Sequence, residues 1–233
     1  MTLIDEFSTG YNFWHMNWEL DMLWWINANW HGTWIDFIFL FISIICDGGI
    51  FWILLSIVFL FIKKWRKTGV LMLALLLCVE LFNNLVLKNV ADRSRPFYWD
   101  DYMLTTTGNK AYDLYVYVKS LFTLNNGNGF LFGFGGIPDK QSFVSGHTMS
   151  SLGCATIIFL CHKKVGIAAL VFASLVAFSR VYLCVHWPTD VLAGAIIGIG
   201  FGIGLYYLGN FLEPKIISFI NKTINKKSQD TTK

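Results

Sequence analysis

Long apolar runs separated by short polar breaks dominate the 233-residue chain. Six of these runs predict helices that cross a membrane. They occupy residues 37–46, 50–62, 70–87, 152–161, 165–185 and 191–212. Because a crossing helix needs about 20 mainly apolar residues, the first, second and fourth runs must borrow flanking residues. The pattern therefore predicts an all-α polytopic membrane protein with a six-transmembrane-helix bundle over residues 35–212.

The segments outside these runs differ in composition. Residues 1–34 are rich in tryptophan and leucine but are broken by asparagine and histidine, which predicts an N-terminal interfacial helix. Residues 97–144 form a polar stretch that is predicted to be a long outer loop, and such loops often carry binding functions. Residues 213–233 form a lysine-bearing tail, predicted to be cytoplasmic.

Composition excludes an ordinary soluble domain. Charged residues make up 14% of the chain, and the mean hydropathy is +0.53, whereas soluble domains carry charge at about a quarter of their positions. With six crossings, residues 63–67, residues 162–164 and the tail share one side and hold 11 of the 18 Lys and Arg residues. Short basic loops favour the cytoplasm. We therefore expect both chain ends on the cytoplasmic side of the plasma membrane and the opposite face of the bundle on the outside of the cell.

Three polar clusters interrupt the apolar pattern, and this topology places them at the outer face. They are residues 88–96, 142–148 and 179–190. Taken singly, each has a structural explanation, such as a snorkelling Lys88 or Arg95 or a first-turn acid at Asp190. Taken together, they bring three cations, two histidines and an acid to one face of a charge-poor protein. Ionisable groups inside a membrane are functional candidates, so we predict a site there.

The residue types in these clusters suit phosphoryl transfer. The transferring group spreads negative charge over its oxygens and needs fixed positive donors around it. Lys88, Arg95 and Arg180 can supply these donors. The predicted helix start at Ser145 and Gly146 adds free backbone N–H groups, and glycine lets the backbone approach a phosphate closely.

Two histidines, His147 and His186, are available as the nucleophile and as the acid for the leaving group. Asp190 follows His186 by four residues, which is one helical turn. Its carboxylate is able to hold one imidazole nitrogen while the other attacks.

These clusters resemble the signature of the type-2 phosphatidic acid phosphatase superfamily, which also includes vanadium haloperoxidases. The first matches K-x6-R-P over residues 88–96, and the third matches S-R-x5-H-x3-D over residues 179–190. The second differs from P-S-G-H at one position, where Val144 replaces the usual proline. The difference concerns the rigidity of the loop more than its chemistry.

The resemblance implies a role for each matching residue. His186 would attack phosphorus and form a phosphohistidine, Asp190 would orient it, and His147 would protonate the leaving oxygen and then activate water. The phosphate would be held by Lys88, Arg95, Ser145, Gly146 and Arg180. The resemblance implies neither a metal ion nor a cofactor.

The N-terminal half is also similar to bacterial undecaprenyl-diphosphate phosphatases, in residues 23–27 and 47–53. We therefore predict an integral membrane lipid phosphatase that converts undecaprenyl (polyprenyl) diphosphate to the monophosphate. The alternatives are phosphatidylglycerophosphate, phosphatidic acid or lipid A as substrate, or transfer of the phosphate to a second lipid. A transporter or an inactive binding protein is a further alternative from another class.

The expected partner is a lipid phosphate within the bilayer, and no feature indicates nucleic-acid binding. The sequence leaves the oligomeric state open. It also leaves open whether Glu80, eight residues before Lys88 in the same run, pairs with that lysine or only with neighbouring helices.

Overall fold

The computed structural model of the chain describes residues 16–96 and 141–231, nearly all of them in helices. The helices are α1 (Asn17–Trp30), α2 (Trp34–Ile45), α3 (Ile50–Phe61), α4 (Arg66–Phe82), α5 (Lys88–Ala91), α6 (Gly146–Cys161), α7 (Lys163–Tyr182) and α8 (Pro188–Thr231). A π-helical turn, Asn83–Leu87, joins α4 to α5. The predicted all-α class is confirmed for these residues.

Among the residues that the structure describes, three helical stretches are long and apolar enough to cross a membrane. They are Lys63–Ala91, Lys163–Tyr182 and Pro188–Phe219. Helix α6 is also apolar but has only 16 residues. The chain is therefore a membrane protein, as its composition predicts.

Helices α2 and α3 follow one path past α7. Their bend is 46°, whereas two crossings joined by a hairpin would reverse direction. Ring contacts along the path run from one end of α7 to the other. They pair Phe39 with Tyr182, Phe51 with Phe172, Phe59 with Trp65, and Trp65 with His162 just before α7. The two helices therefore continue in one direction along α7, as a single membrane span with a break in it would.

The predicted number of six crossings is consequently not confirmed. Within residues 16–96 and 141–231, the count is three long helices, the bent pair and the short α6. The break between α2 and α3 consists of Asp47, Gly48 and Gly49, and the two glycines have φ angles of 55° and 71°. Glycine adopts these left-handed conformations without steric cost, so the chain stops one helix and restarts the next with a kink.

Opposite ends of the bundle carry different segments. Lys67 Nζ lies 2.6 Å from Asn210 Oδ1 of α8, so the basic residues 63–67 and the later part of α8 share one end. Helix α1 lies at the other end, beside Tyr182. With α2 and α3 as one span, α1 and the end of α8 are on opposite sides, unlike the arrangement expected for six crossings.

Helix α6 is the centre of the bundle, and glycines allow the other helices to approach it. A Cβ atom at Gly198 of α8 would lie 2.3 Å from the Met149 carbonyl oxygen, and one at Gly202 would lie 2.8 Å from the Gly153 carbonyl oxygen. A Cβ atom at Gly200, by contrast, would have no other described part of the protein within 4 Å. One face of α8 is thus fitted to α6.

Helix α1 is attached to the end of α7 by polar contacts. His31 Nε2 lies 2.6 Å from the Tyr182 carbonyl oxygen, and the Tyr182 hydroxyl donates to Asp36 Oδ1 at 2.7 Å. Burial lowers the pKa of His31, although the Tyr182 carbonyl and Asp36 act in the opposite direction. A helix is present where the sequence predicts one, and its interfacial position stays a prediction, with residues 1–15 outside the described range.

The other predicted segments are only partly described. Residues 97–140 of the predicted loop lie outside the described residues, which resume at Gln141. The predicted tail, residues 213–233, continues α8 as a helix to Thr231. Glu80 is exposed and accepts a hydrogen bond from Asn84. The domain boundaries stay predictions.

Replacing Gly198 with alanine tests the contact between α6 and α8. The added Cβ overlaps the backbone of Met149, and forced overpacking costs about 1–3 kcal/mol. We expect a lower melting temperature in detergent for Gly198→Ala. The matched control is Gly200→Ala, which meets open space on the same helix and should melt at or above the wild-type temperature. Equal melting temperatures for the two variants would contradict this packing.

Candidate active site

The turn between α7 and α8 places the first histidine. The Arg180 carbonyl oxygen accepts hydrogen bonds from the N–H groups of Val185 and His186, at 3.1 and 3.3 Å. Cys184 adopts a positive φ of 55° within this turn. Pro188 then begins α8, a position where its fixed φ and missing N–H suit a helix. The turn directs the His186 side chain into the protein, where it is 3% exposed.

Asp190 lies beside His186, as the four-residue spacing predicts. Its Oδ2 atom is 3.6 Å from His186 Nδ1 and accepts a hydrogen bond from the Trp187 N–H at 3.0 Å. The Ser142 hydroxyl donates to the same oxygen. Asp190 is fully buried, so these bonds fix its carboxylate next to the imidazole.

Arg95 occupies the other side of the same imidazole. Its Nη1 atom lies 2.9 Å from His186 Nε2 and donates to the Val185 carbonyl oxygen at 2.8 Å. Because a guanidinium has donors only, the Nε2 atom facing it must be the acceptor. The lone pair of His186 is therefore on Nε2, and its proton is on Nδ1, toward Asp190.

Two chain segments carry Arg95 and Ser142 to this position. Ser94 and Gln141 form an isolated antiparallel bridge, and the Ser142 N–H donates to the Arg93 carbonyl oxygen at 2.7 Å. The Trp187 indole N–H donates to the Ser94 carbonyl oxygen at 2.8 Å. The first and second predicted clusters are thus joined to each other and to the third.

The second histidine, His147, lies in the first turn of α6. Its Nε2 atom is 3.3 Å from the Ser43 carbonyl oxygen and 3.5 Å from Asp47 Oδ1. Ser145 precedes the helix, and its N–H donates to the Asp190 carbonyl oxygen at 3.3 Å. The kink between α2 and α3 therefore brings a carboxylate to His147, on a helix whose start is tied to Asp190.

Arg180 is a buried cation with an unused donor. Its side chain is in α7, and Nη1 donates to the Ser43 hydroxyl. Its Nε atom is fully buried and has no hydrogen-bond partner among the residues that the structure describes. A buried unpaired donor costs about 1–3 kcal/mol, and more when it is charged. An anion beside Arg180 would remove that cost.

The remaining predicted phosphate ligands are at the edges of this cluster. Gly146 begins α6, and a Cβ atom there would lie 3.3 Å from Asn83 Nδ2, so the backbone is closely approached at this point. Lys88 is half-buried in α5, seven residues before Arg95. Its place at the phosphate stays a prediction.

Five residues at the site were not predicted from the sequence. They are Ser43, Asp47 and Ser142, described above, together with Arg93, whose guanidinium pairs with Asp190, and Glu19, which pairs with the same guanidinium. Arg93 and Ser142 belong to the predicted clusters, but the family motifs specify no residue at either position. The other three lie in the N-terminal part of the chain, where nothing in the sequence connects them with residues more than 70 positions away.

The arrangement suits transfer of an anionic group to a histidine. One imidazole nitrogen faces a carboxylate, the other faces a guanidinium, and a second histidine stands at a helix start with its free N–H groups. No group of three or more His, Cys, Asp or Glu side chains in the described part of the chain is placed to hold a metal ion.

A helical membrane bundle with a buried His186–Asp190–Arg95 cluster defines the class of this protein. The family model of the PAP2 superfamily matches residues 68–213, which is more than half of the chain. The chain therefore belongs to the PAP2 superfamily, and the resemblance of the three motifs is confirmed.

Individual relatives match shorter parts of the chain. The bacitracin transport permease protein BcrC of Bacillus licheniformis is 38% identical over 85 residues, 36% of this chain and 39% of the relative. An undecaprenyl-diphosphatase of Sulfolobus acidocaldarius is 42% identical over 62 residues, 26% of this chain and 30% of the relative. A lipid A 4'-phosphatase of Porphyromonas gingivalis is 27% identical over 165 residues, 66% and 59% of the two chains.

A solved structure shows the same fold. It is a transmembrane PAP2-type phosphatidylglycerolphosphate phosphatase from Bacillus subtilis, with a TM-score of 0.55 and 24% identity, covering 87% of this chain and 89% of the other. The matches to the first curated relatives span about a third to a half of the length of those proteins. The similarity in fold therefore extends over more of this chain than the similarity in sequence to those relatives does.

Binding of orthovanadate, a phosphate analogue, tests whether Arg180 forms an anion site. We expect Arg180→Gln to weaken binding at least about tenfold, because a charge-assisted hydrogen bond contributes about 1.5–3 kcal/mol. Isothermal titration calorimetry of the purified protein in detergent measures this. The control is Arg66→Gln, an exposed arginine at the opposite end of the bundle, which should leave the affinity unchanged. Equal losses in both variants would contradict a specific site.

Proposed function

We propose that this protein is a membrane lipid phosphatase that works through a phosphohistidine on His186. The observation that carries the proposal is the placement of this imidazole between Asp190 on Nδ1 and Arg95 on Nε2. Membership of the PAP2 superfamily supports the same chemistry. The relatives named as phosphatases support it as well.

In the first step, the lone pair on His186 Nε2 attacks phosphorus, and the bond from phosphorus to the leaving oxygen breaks. Positive charge develops on the imidazole, and the Asp190 carboxylate stabilises it through Nδ1. His147 gives a proton to the leaving oxygen. Arg95 and Arg180 stabilise the charge on the transferring oxygens, with Lys88 completing the set of cations.

In the second step, His147 removes a proton from a water molecule, which attacks the phosphohistidine. The bond from phosphorus to Nε2 breaks, and inorganic phosphate leaves. The free N–H groups of Ser145 and Gly146 hold the phosphate in both steps. Side-chain cations supply the positive charge, so we propose a metal-independent reaction whose rate does not change when EDTA is added.

Replacing each histidine separately tests these roles. His186→Ala should abolish phosphate release, because no nucleophile remains. His147→Ala should still form a radiolabelled phosphoenzyme from p-nitrophenyl phosphate, whose leaving group needs no proton, but should hydrolyse it slowly. Acid-quench assays with radiolabelled substrate measure both steps.

The control for this pair is His162→Ala, since His162 lies at the opposite end of α6 beside Trp65. It should keep wild-type phosphate release and accumulate no phosphoenzyme. Phosphate release by His186→Ala at the wild-type rate would refute the proposed nucleophile.

We propose that the site faces the outside of the cell membrane. The basic residues 63–67 and 162–164 lie at the end of the bundle away from His186, and short basic loops favour the cytoplasm. The argument is the same whether α2 and α3 form one bent span or two crossings. In both cases residues 63–67 and 162–164 lie on the same side of the membrane, opposite His186. A substrate in the outer leaflet would reach the site from the bilayer.

The substrate we propose is undecaprenyl or another polyprenyl diphosphate, which loses its terminal phosphate to give the monophosphate. The similarity of residues 23–27 and 47–53 to such phosphatases and the name of the Sulfolobus acidocaldarius relative support this choice. The Porphyromonas gingivalis relative favours lipid A as the alternative, since its match covers more of this chain than the matches of the Bacillus licheniformis and Sulfolobus acidocaldarius relatives do.

A panel of lipids in detergent distinguishes these substrates. We expect farnesyl and undecaprenyl diphosphate to be hydrolysed with kcat/KM at least about tenfold above that of phosphatidic acid, phosphatidylglycerophosphate and lipid A, a difference of about 1.4 kcal/mol in transition-state binding. Release of inorganic phosphate measures the rates. Activity on phosphatidic acid without activity on either diphosphate would refute the choice, and label on an added acceptor lipid would identify a phosphotransferase.

A further inference from the structure

A buried chain of charges extends from the proposed active site to helix α1. Arg93 Nη1 donates to Asp190 Oδ1, and Arg93 Nη2 lies 2.7 Å from Glu19 Oε2. The side chains of these three residues are at most 1% exposed. Asp190 in turn contacts His186, so a carboxylate on α1 is linked to the proposed nucleophile through two intervening groups.

Glu19 is held by more than its ion pair. Its Oε1 atom accepts hydrogen bonds from the Thr189 N–H at 3.2 Å and the Thr189 hydroxyl at 2.6 Å. Its Oε2 atom also accepts from the Met16 N–H at 2.9 Å. Because Thr189 precedes Asp190 in the first turn of α8, Glu19 fixes the helix start that carries Asp190. Such complete bonding offsets the large cost of burying a carboxylate.

The charges of the group have a chemical consequence. A pair of Arg93 and Asp190 alone would be formally neutral and would stabilise positive charge on His186 weakly. Glu19 shares the same guanidinium, so the three groups carry a formal net charge of −1. That charge lies on the Nδ1 side of the imidazole, where it stabilises the positive ring formed when Nε2 attacks phosphorus.

We propose that Glu19 is a positioning residue of the active site. It aligns Arg93 and the start of α8, and it supplies the negative charge that lets Asp190 activate His186. This inference rests on the proposed function, because it assumes that His186 is the nucleophile. Glu19 lies outside residues 68–213, which the PAP2 family model matches, so α1 completes the site from a segment beyond the family match.

Other contacts attach α1 to the same turn. The Cys184 thiol donates to the Leu23 carbonyl oxygen at 3.8 Å, and Leu23 is fully buried in a cluster with Val185 and Trp187. Arg93 also lies over the Trp187 ring, 5.2 Å from its centroid. Helix α1 thus packs on the residues that immediately flank His186, which gives Glu19 a rigid support.

The test compares Glu19→Gln with the native Glu19 in the rate of phosphoenzyme formation, and His147→Ala alone is the reference. The variants are made in a His147→Ala background with radiolabelled p-nitrophenyl phosphate, so that the phosphoenzyme accumulates. We expect the rate constant to fall roughly 10- to 100-fold, the range found when a residue that orients a metal-binding histidine is replaced. The amount of phosphoenzyme per protein at completion should stay the same, since glutamine keeps the shape of the glutamate side chain.

Two outcomes would overturn the proposed role of Glu19, and a third would overturn the proposed function of His186 instead. A purely structural Glu19 would give less phosphoenzyme at an unchanged rate, and an unchanged rate and amount would show that the charge has no role. If the His147→Ala reference itself forms no phosphoenzyme, the proposed function fails instead. The matched control, Asp21→Asn, removes an exposed carboxylate from the same helix and should change neither quantity.

The conservative variant Glu19→Asp adds a second check. It keeps the charge but shortens the side chain by one methylene, so contact with Arg93 and Thr189 is strained while the net charge remains. We expect its rate constant, in the same His147→Ala background, to lie between those of the His147→Ala reference and Glu19→Gln. A rate below that of Glu19→Gln would show that alignment matters and that charge does not, which would overturn the charge part of the proposal.

Discussion

The buried guanidinium of Arg93 connects parts of the chain that are far apart in sequence. It donates to Glu19 of α1 and Asp190 of α8, and the backbone carbonyl oxygen of Arg93 accepts the Ser142 N–H. Removing one partner from such a group leaves an uncompensated charge, which costs far more than a surface ion pair. The network therefore requires that α1, the segment after α5, the approach to α6 and the start of α8 be in place together. The contacts that hold the site together are thus the same contacts that join these segments at this end of the bundle.

The kink between α2 and α3 shows how a membrane helix is opened for a polar function. Unsatisfied backbone is costly in a bilayer, so irregular structure persists only where protein groups or a cavity meet its polar atoms. Here the break comes opposite the start of α6, where the Ser43 carbonyl oxygen and Asp47 face His147. The same few residues place the Ser43 hydroxyl on Arg180. The interruption thus supplies contacts to two proposed site residues from a span that carries none of the family motifs.

The sequence predicts the parts of the molecule that have a local pattern, such as an apolar run. It also predicts that polar residues which serve one reaction lie close together. Helices α7 and α8 follow from long apolar runs, and His186 and Asp190 follow from a one-turn spacing. The number of crossings was harder, because Asp-Gly-Gly is typical of a hairpin and of a kink alike, and only packing against α7 separates the two. Glu19 had no signal at all, since nothing in a tryptophan-rich segment that also carries Asp21 shows that one of its acids pairs with Arg93, 74 residues away.

The distribution of charge around His186 explains why acids and cations coexist in so apolar a protein. The acids Glu19 and Asp190, which share the guanidinium of Arg93 and outweigh its charge, lie on its Nδ1 side, while Arg95 lies on its Nε2 side. This field holds the proton on Nδ1 and directs the lone pair toward the place where we propose that the phosphate binds. In the reaction that we propose, an anion arriving there meets a cation, and the positive charge that then develops on the ring meets the carboxylates. Exchanging the groups on the Nδ1 and Nε2 sides of His186 would place the lone pair against a carboxylate and repel the substrate. The position of each charge around the ring therefore matters more than the net charge.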